Sequence, residues 1–291
     1  MLNCALVIHH HHERAAVLAL EIARWCTANG MQCWITEEDA KRVSSQSAEL
    51  LSLRSDRPVA EADCVISLGG DGTVLRAVRL LDGAPTPILG VNLGNLGYLS
   101  EVDSDRLLDT LHHVAIGPEK GGWTSDDRMM IDISLRTPKG TTTSWRVLNE
   151  VVVEKRQSGN TVRLDVRIDG STFTSYAGDG LIVSTPTGST AYAFSARGPI
   201  ISPRHRALLL TPVATHMLFD RSMVLDPSEV CEIEVSGDRP AGLVADGVTV
   251  SDLARGDVVR CVPSEYFARF IRFGDRRYHE ILKAKFGLRD R

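Results

Sequence analysis

The hydrophobic period of this chain changes near residue 103, and that change constrains its fold more than any other feature. Before it, short apolar runs alternate with segments of helical spacing. Cys4 to Ile8 reads as a buried strand, and Glu13 to Asn29 as a helix with Leu18, Ile22 and Trp25 on one face and Asn29-Gly30 as its stop. Gln32 to Ile35 and Cys64 to Leu68 read as further strands. Thr73 is expected to cap a helix carrying Val74, Leu75, Val78 and Leu81, which Asp82-Gly83 ends, and Pro87 to Asn92 is the next strand. This is the βαβ pattern of a parallel sheet, whose ligands lie at the carboxyl ends of the strands.

After Asp103, one helix through Leu107, Leu108 and Leu111 gives way to two-residue alternation. Ile131, Ile133 and Leu135 alternate with polar neighbours, as do Val162, Leu164, Val166 and Ile168. Asp169-Gly170 predicts a hairpin into Thr172 to Ala177. Cys231, Ile233 and Val235 form another strand, Val258 to Val262 a further one, and Asp275 to Leu288 returns to helical spacing. The expected fold is an α/β N-terminal domain with a parallel sheet, residues 1–103, and a β-rich, two-sheet, sandwich-like domain, residues 104–268, with a C-terminal helix in 269–291.

With 291 residues, 43% of them hydrophobic and 24% charged, the chain has a globular composition and room for two domains. A net charge of -4 provides no basic field for nucleic acid or an anionic membrane. The one dense basic stretch, Arg272, Arg276, Arg277, Lys283, Lys285, Arg289 and Arg291, reads as a solvated helix face. No apolar run approaches the roughly 18 residues of a membrane span, and no basic region precedes a cleavage site, so a cytoplasmic protein is expected. Cys4, Cys26, Cys33, Cys64, Cys231 and Cys261 form no Cys-x-x-Cys pair and read as buried, reduced thiols. His9-His10-His11-His12 reads as a polar βα loop, because adjacent side chains diverge too far to share a zinc ion.

Three segments carry chemistry. Gly69-Gly70-Asp71-Gly72-Thr73 follows a strand and opens a helix, so its backbone N–H groups suit phosphate. A carboxylate within that turn, Asp71, is placed to take a proton from an attacking hydroxyl. A tight βα turn with an acidic cap accounts for the same residues taken alone. The second segment, Gly178-Asp179-Gly180 through Thr185-Pro186-Thr187-Gly188-Ser189-Thr190-Ala191-Tyr192, places five hydroxyls between Ser184 and Thr190, an array suited to a sugar or phosphate. In it, Tyr192 offers a flat face to a base and Asp179 an acceptor to a ribose or amide. In the third, Asn149-Glu150 interrupts a β run, with groups matched to an adenine edge and ribose hydroxyls.

In order and sequence these segments resemble the signatures of the NAD kinase family, from about Cys64 to Gly247. The resemblance implies that Asp71 accepts the proton of the adenosine 2′-hydroxyl, that Gly72 and Arg76 contact the dinucleotide or its phosphates, and that Asn149 and Glu150 hold its adenine and ribose end. It implies that Asp179, Thr187 and the run Thr190-Ala191-Tyr192-Ala193-Phe194-Ser195 wrap NAD, while Gly69, Gly70, Gly72 and Thr73 hold phosphate. It further implies transfer from ATP, with Mg²⁺ or another divalent cation carried on the triphosphate and no dedicated protein metal site. Inorganic polyphosphate is the alternative donor. A homodimer or homotetramer and a last helix packed on the first domain complete the expectation. Arg197 departs from the family pattern, standing where relatives usually have glycine; Asn160, Ala177 and Val248 depart as well. A lipid or sugar kinase shares the glycine-aspartate turn but gives Asn149-Glu150 no role, and a non-catalytic NAD(P) sensor does not require Asp71.

Overall fold

The computed structural model describes residues 2–43, 48–94, 96–215, 217–274 and 278–288. Arg276, Arg277, Arg289 and Arg291 of the basic tail, and the start of the last helix at Asp275, lie outside the described residues. The chain forms two compact units, one of Met1–Asp127 with Ala268–Arg291, the other of Arg128–Phe267.

The first unit runs β1 (Asn3–Ile8), α1 (Glu13–Ala28), β2 (Gln32–Thr36), α2 (Glu37–Val43), α3 (Ala48–Leu51), β3 (Arg54–Ser55), β4 (Cys64–Gly69), α4 (Asp71–Leu81), β5 (Ile88–Asn92), β6 (Val102–Asp103) and α5 (Leu107–Ile116). Its strands pair in parallel in the order β5-β4-β1-β2-β3. β4 and β5 are buried along their whole length, which is why they read as unbroken apolar runs. Helix α1 lays Leu18, Ala19 and Ile22 on Leu6, Ile8 and Ile66 of the sheet. Leu107, Leu111 and Val114 of α5 join the same core, so this helix, grouped with the second domain by its place in sequence, belongs to the first unit.

The second unit contains β8 (Thr142–Val147), β9 (Glu150–Lys155), β10 (Val162–Ile168), β11 (Ser171–Gly178), β12 (Gly180–Ser184), α6 (Tyr192–Ser195), β13 (Leu208–Val213), β14 (Met223–Leu225), β15 (Cys231–Val235), β16 (Ala241–Ala245) and β17 (Val248–Leu253). β7 (Thr124–Arg136) and β18 (Val258–Arg272) each begin or end in the first unit, and α7 (Tyr278–Phe286) lies wholly in it. One antiparallel sheet is ordered β14-β13-β12-β9-β16-β17, and β11-β10-β15-β18, with β7 and β8, makes the second. Val151, Val153, Leu181 and Leu210 of one sheet share a core with Ile131, Leu164, Ile233 and Val259 of the other. The alternation read from the sequence is this inner face.

Candidate active site

Helix α4 begins at Asp71, three residues earlier than a Thr73 cap requires. Gly70 is the N-cap, without a side-chain cap bond, and Thr73 is a buried residue of the first turn. Thr73 fails as a cap because its N–H already donates to the Gly70 carbonyl at 2.9 Å, which places it inside the helix. At the other end Asp82 takes the left-handed conformation, φ 43°, that stops the helix.

The Asp71 carboxylate is held by a segment the sequence did not connect with it. Oδ2 accepts the Tyr98 N–H at 2.9 Å and Oδ1 the Leu99 N–H at 3.1 Å. Gly97 approaches so closely that a Cβ there would overlap Oδ1. The loop after β5 thereby fixes the carboxylate's orientation, and each oxygen keeps a lone pair for another donor.

Beside the same helix end, Ile8, His9, His10, His11, Arg42, Gly70, Gly72, Thr73 and Arg76 line a cavity of about 330 Å³. The four histidines do form the loop between β1 and α1, with His12 as the α1 N-cap. Arg76 is anchored: its guanidinium reaches the buried Asp39 carboxylate at 2.6 Å and the Ile8 carbonyl at 2.7 Å. His10 Nε2 lies 2.8 Å from Asp39 Oδ1 and 2.5 Å from Arg76 Nη1, and its Nδ1 lies 2.7 Å from Arg42 Nη1, so the ring sits between one carboxylate and two guanidinium groups. Burial lowers its pKa, Asp39 partly opposes this, and Arg76 and Arg42 reinforce it. The Asp39–His10–Arg42–Arg76 network was not legible in sequence, because its members come from a loop and two helices.

In the second unit, Asn149 and Glu150 sit where β9 begins. Asp246, φ 44°, accepts the N–H groups of Leu148, Asn149 and Glu150 at 2.8, 2.8 and 3.0 Å. Sequence reasoning missed this residue; its only signal was an Asp-Gly pair that also reads as an ordinary hairpin turn. Glu150 is buried, and its Oε2 has no hydrogen-bond partner. Burial first, then the Asp246 charge, pushes its pKa up to about 8, against a lowering contribution from the Tyr192 backbone N–H.

The hydroxyl-rich run is more structural than its composition implies. Ser184, Thr185, Thr187 and Ser189 are buried. Thr185 Oγ1 donates to the Leu148 carbonyl at 2.6 Å and accepts from Gly188 N–H at 3.1 Å. Ser189 Oγ ties Pro186 to Ile201. The Thr185, Ser189 and Thr190 hydroxyls close the loop onto itself and onto Leu148 and Ile201, and Thr190 alone of the five is half-buried. At Gly188 the approach is so close that a Cβ would overlap the Asn149 carbonyl. Beyond the loop, Tyr192, Phe194 and Ser195 are exposed, Ala191 is half-buried, and Ala193 packs on Val152, Ile182 and Leu209. Asp179 is ion-paired with Lys155 at 2.5 Å.

Arg197 has φ 67°. Its N–H donates to the Phe194 carbonyl at 2.9 Å and the Gly198 N–H to that of Ala193 at 2.8 Å, so Arg197 occupies the left-handed position of a Schellman motif ending α6. That position favours glycine, the residue of the family pattern, and nothing in the structure explains the arginine.

A strand-to-helix turn presenting backbone N–H groups and a fixed carboxylate, in a chain whose other unit holds a buried glutamate with one unpartnered oxygen, defines a nucleotide-handling protein. Residues 4–117 match the family model of the ATP-NAD kinase N-terminal domain and residues 148–273 that of the ATP-NAD kinase C-terminal domain. The NAD kinase of Citrifermentans bemidjiense is 33% identical over 294 residues, covering 98% of each chain. The chain belongs to the NAD kinase family. Its fold is also that of yeast NADH kinase, solved with NADH (TM-score 0.89, 22% identity, 100% of this chain and 89% of that one), and of an Archaeoglobus fulgidus NAD kinase solved with ATP (TM-score 0.70, 22% identity, 98% and 96%).

Proposed function

We propose that this protein transfers the γ-phosphoryl group of ATP to the 2′-hydroxyl of the adenosine ribose of NAD, giving NADP. The observation that carries this reading is the match to both NAD kinase domain models, which between them contain all three motifs. Asp71 is the proton acceptor: a ribose hydroxyl is a weak nucleophile at neutral pH, and a carboxylate of fixed orientation takes its proton as the bond to phosphorus forms. Asn149 and Glu150 receive the adenine–ribose end, and the unpartnered Glu150 Oε2 gains a ribose hydroxyl as its missing partner. The exposed ring of Tyr192 stacks on a base, and Asp179, Thr187 and Thr190 to Ser195 line the dinucleotide.

The phosphate chain of the donor occupies the cavity beside α4, where the Gly70 and Gly72 N–H groups, Thr73, Arg76 and Arg42 converge. Nothing in that lining demands a base, so inorganic polyphosphate is a candidate donor beside ATP. Among the described residues no group of three His, Cys, Asp or Glu side chains could hold a metal ion. Mg²⁺ enters as part of the Mg·ATP substrate, where it neutralises charge on the phosphates.

We place the protein in the cytoplasm, where six cysteines without a Cys-x-x-Cys pair stay reduced; among the described residues no helix is long and apolar enough to cross a membrane. A homodimer or homotetramer is part of the proposal. The exposed Ile200 and Val224 border a cavity of about 580 Å³ in the second unit, an apolar surface that a second copy can cover.

The test is incubation of the purified protein with NAD, Mg²⁺ and either ATP or polyphosphate, with the product read by an NADP-specific dehydrogenase. NADP formation is the expected result. NAD binding without NADP from either donor overturns the reading.

A further inference from the structure

Four of the six cysteines, distant in sequence, meet in the first unit. β1 lies between β2 and β4, and the parallel register pairs Cys4 with Cys33 on one side and with Cys64 on the other. Paired positions of a sheet share a face, so the three thiols form a row across three strands. Cys26, near the end of α1, is buried in the same apolar core as Cys4 and Cys64, and Cys33 packs against that core. Cys4 Sγ and Cys64 Sγ are 3.4 Å apart. Cys4, Cys26 and Cys64 are buried, and Cys33 is partly open to solvent. The row thus runs from an accessible thiol inward to three protected ones, and NAD phosphorylation uses none of them.

We propose that this cluster is a peroxide-oxidisable thiol relay, entered at Cys33 and closed by an intramolecular disulfide among Cys4, Cys26, Cys33 and Cys64. Cys33 loses its proton to solvent and its thiolate attacks hydrogen peroxide: the S–O bond forms, the O–O bond breaks, and the released hydroxide takes a proton from solvent, giving a sulfenic acid and water. Cys4 Sγ, on the residue register-paired with Cys33, then attacks Cys33 Sγ. The new S–S bond forms, the S–O bond breaks, and the hydroxide leaves as water with the proton from Cys4. Two thiols have lost two electrons to one peroxide, with two waters as products. Exchange through Cys4 carries the bond to Cys4–Cys64 without further oxidant. Adjacent strands lie about 4.8 Å apart, inside the Cα range of about 4.4–6.8 Å that a disulfide spans. Cys231 and Cys261 are also register-paired, but they are buried in the second unit and burial raises both. They are the internal control.

Folded full-length protein treated with one equivalent of hydrogen peroxide, then denatured and titrated for thiols, is expected to fall from six free thiols to four and to recover on reduction. Peptide mapping should place the bond within the four-cysteine cluster. Cys33→Ser should slow the loss at least tenfold, while Cys231→Ser leaves it unchanged. Should Cys33→Ser fold poorly, alkylation of the native wild-type protein at Cys33 before peroxide must block the loss equally. Six persisting thiols, a bond involving Cys231 or Cys261, a bond between chains, or sulfinic acid at Cys33 without a cross-link each overturn the proposal.

Discussion

The Asp71 carboxylate accepts the backbone N–H of Tyr98 at 2.9 Å, so the proposed proton acceptor also anchors the loop that follows the next strand. These two roles separate in Asp71→Asn. The amide keeps one acceptor and turns an N–H₂ toward the other backbone donor, an expected loss of about 1–2 kcal/mol in stability. Removal of the base is expected to lower kcat by about 10² or more. Thermal denaturation and steady-state kinetics on the same preparation measure both, and a folded variant with unchanged turnover removes Asp71 from the chemistry.

Glu150 should make stability fall as pH rises. Its folded pKa, about 8, lies above its unfolded value of about 4.5. Between these values the folded protein binds more protons than the unfolded chain. The contribution is therefore fully present below pH 4.5 and lost as pH rises through 8, with a limiting slope of about 1.4 kcal/mol per pH unit. Urea denaturation from pH 5 to 9 should show this decline in the wild type and a flatter profile in Glu150→Gln.

Gly188→Ala tests the approach of the hydroxyl-rich loop to Asn149. A methyl group overlaps the Asn149 carbonyl, and a backbone atom has no rotamer by which to yield. The expected loss is about 1–3 kcal/mol, with at least a tenfold rise in the KM for NAD as Asn149 and Glu150 shift. A variant with wild-type melting temperature and KM contradicts the contact.

Arg197→Gly is expected to stabilise. Relief of the left-handed conformation contributes about 1–2 kcal/mol, and the added freedom of the unfolded chain offsets about 0.4–1 of it. A gain of about 0.5–1 kcal/mol should appear as a melting temperature raised by about 2 °C. Arg197→Val, β-branched at the same φ, should move the other way.

Most elements were legible because their signals are local. The continuous apolar runs of Cys64–Leu68 and Pro87–Asn92, the alternation of Val162 to Ile168 and the Asp169-Gly170 turn each report the environment of one segment. Thr73 was misread because a helix start is set by where the chain leaves the strand, and Gly70 leaves it earlier than the first hydroxyl. The run from Ser184 to Thr190 was read as ligand-facing because composition counts hydroxyls without saying which way they point. Burial turned Thr185 and Ser189 inward to Leu148, Pro186 and Ile201.

The sequence by itself determined the order of strands and helices, the glycine-aspartate turn and the residue types that identify the family, since periodicity and motif spacing survive in one dimension. Only the tertiary structure decided which side chains meet. Asp246 beneath Asn149, the Tyr98 amide on Asp71, Asp39 beside Arg76 and the row of four thiols all join residues from different elements. Such pairings follow from strand register and helix placement, and those are set by burial of the whole core rather than by neighbouring residues.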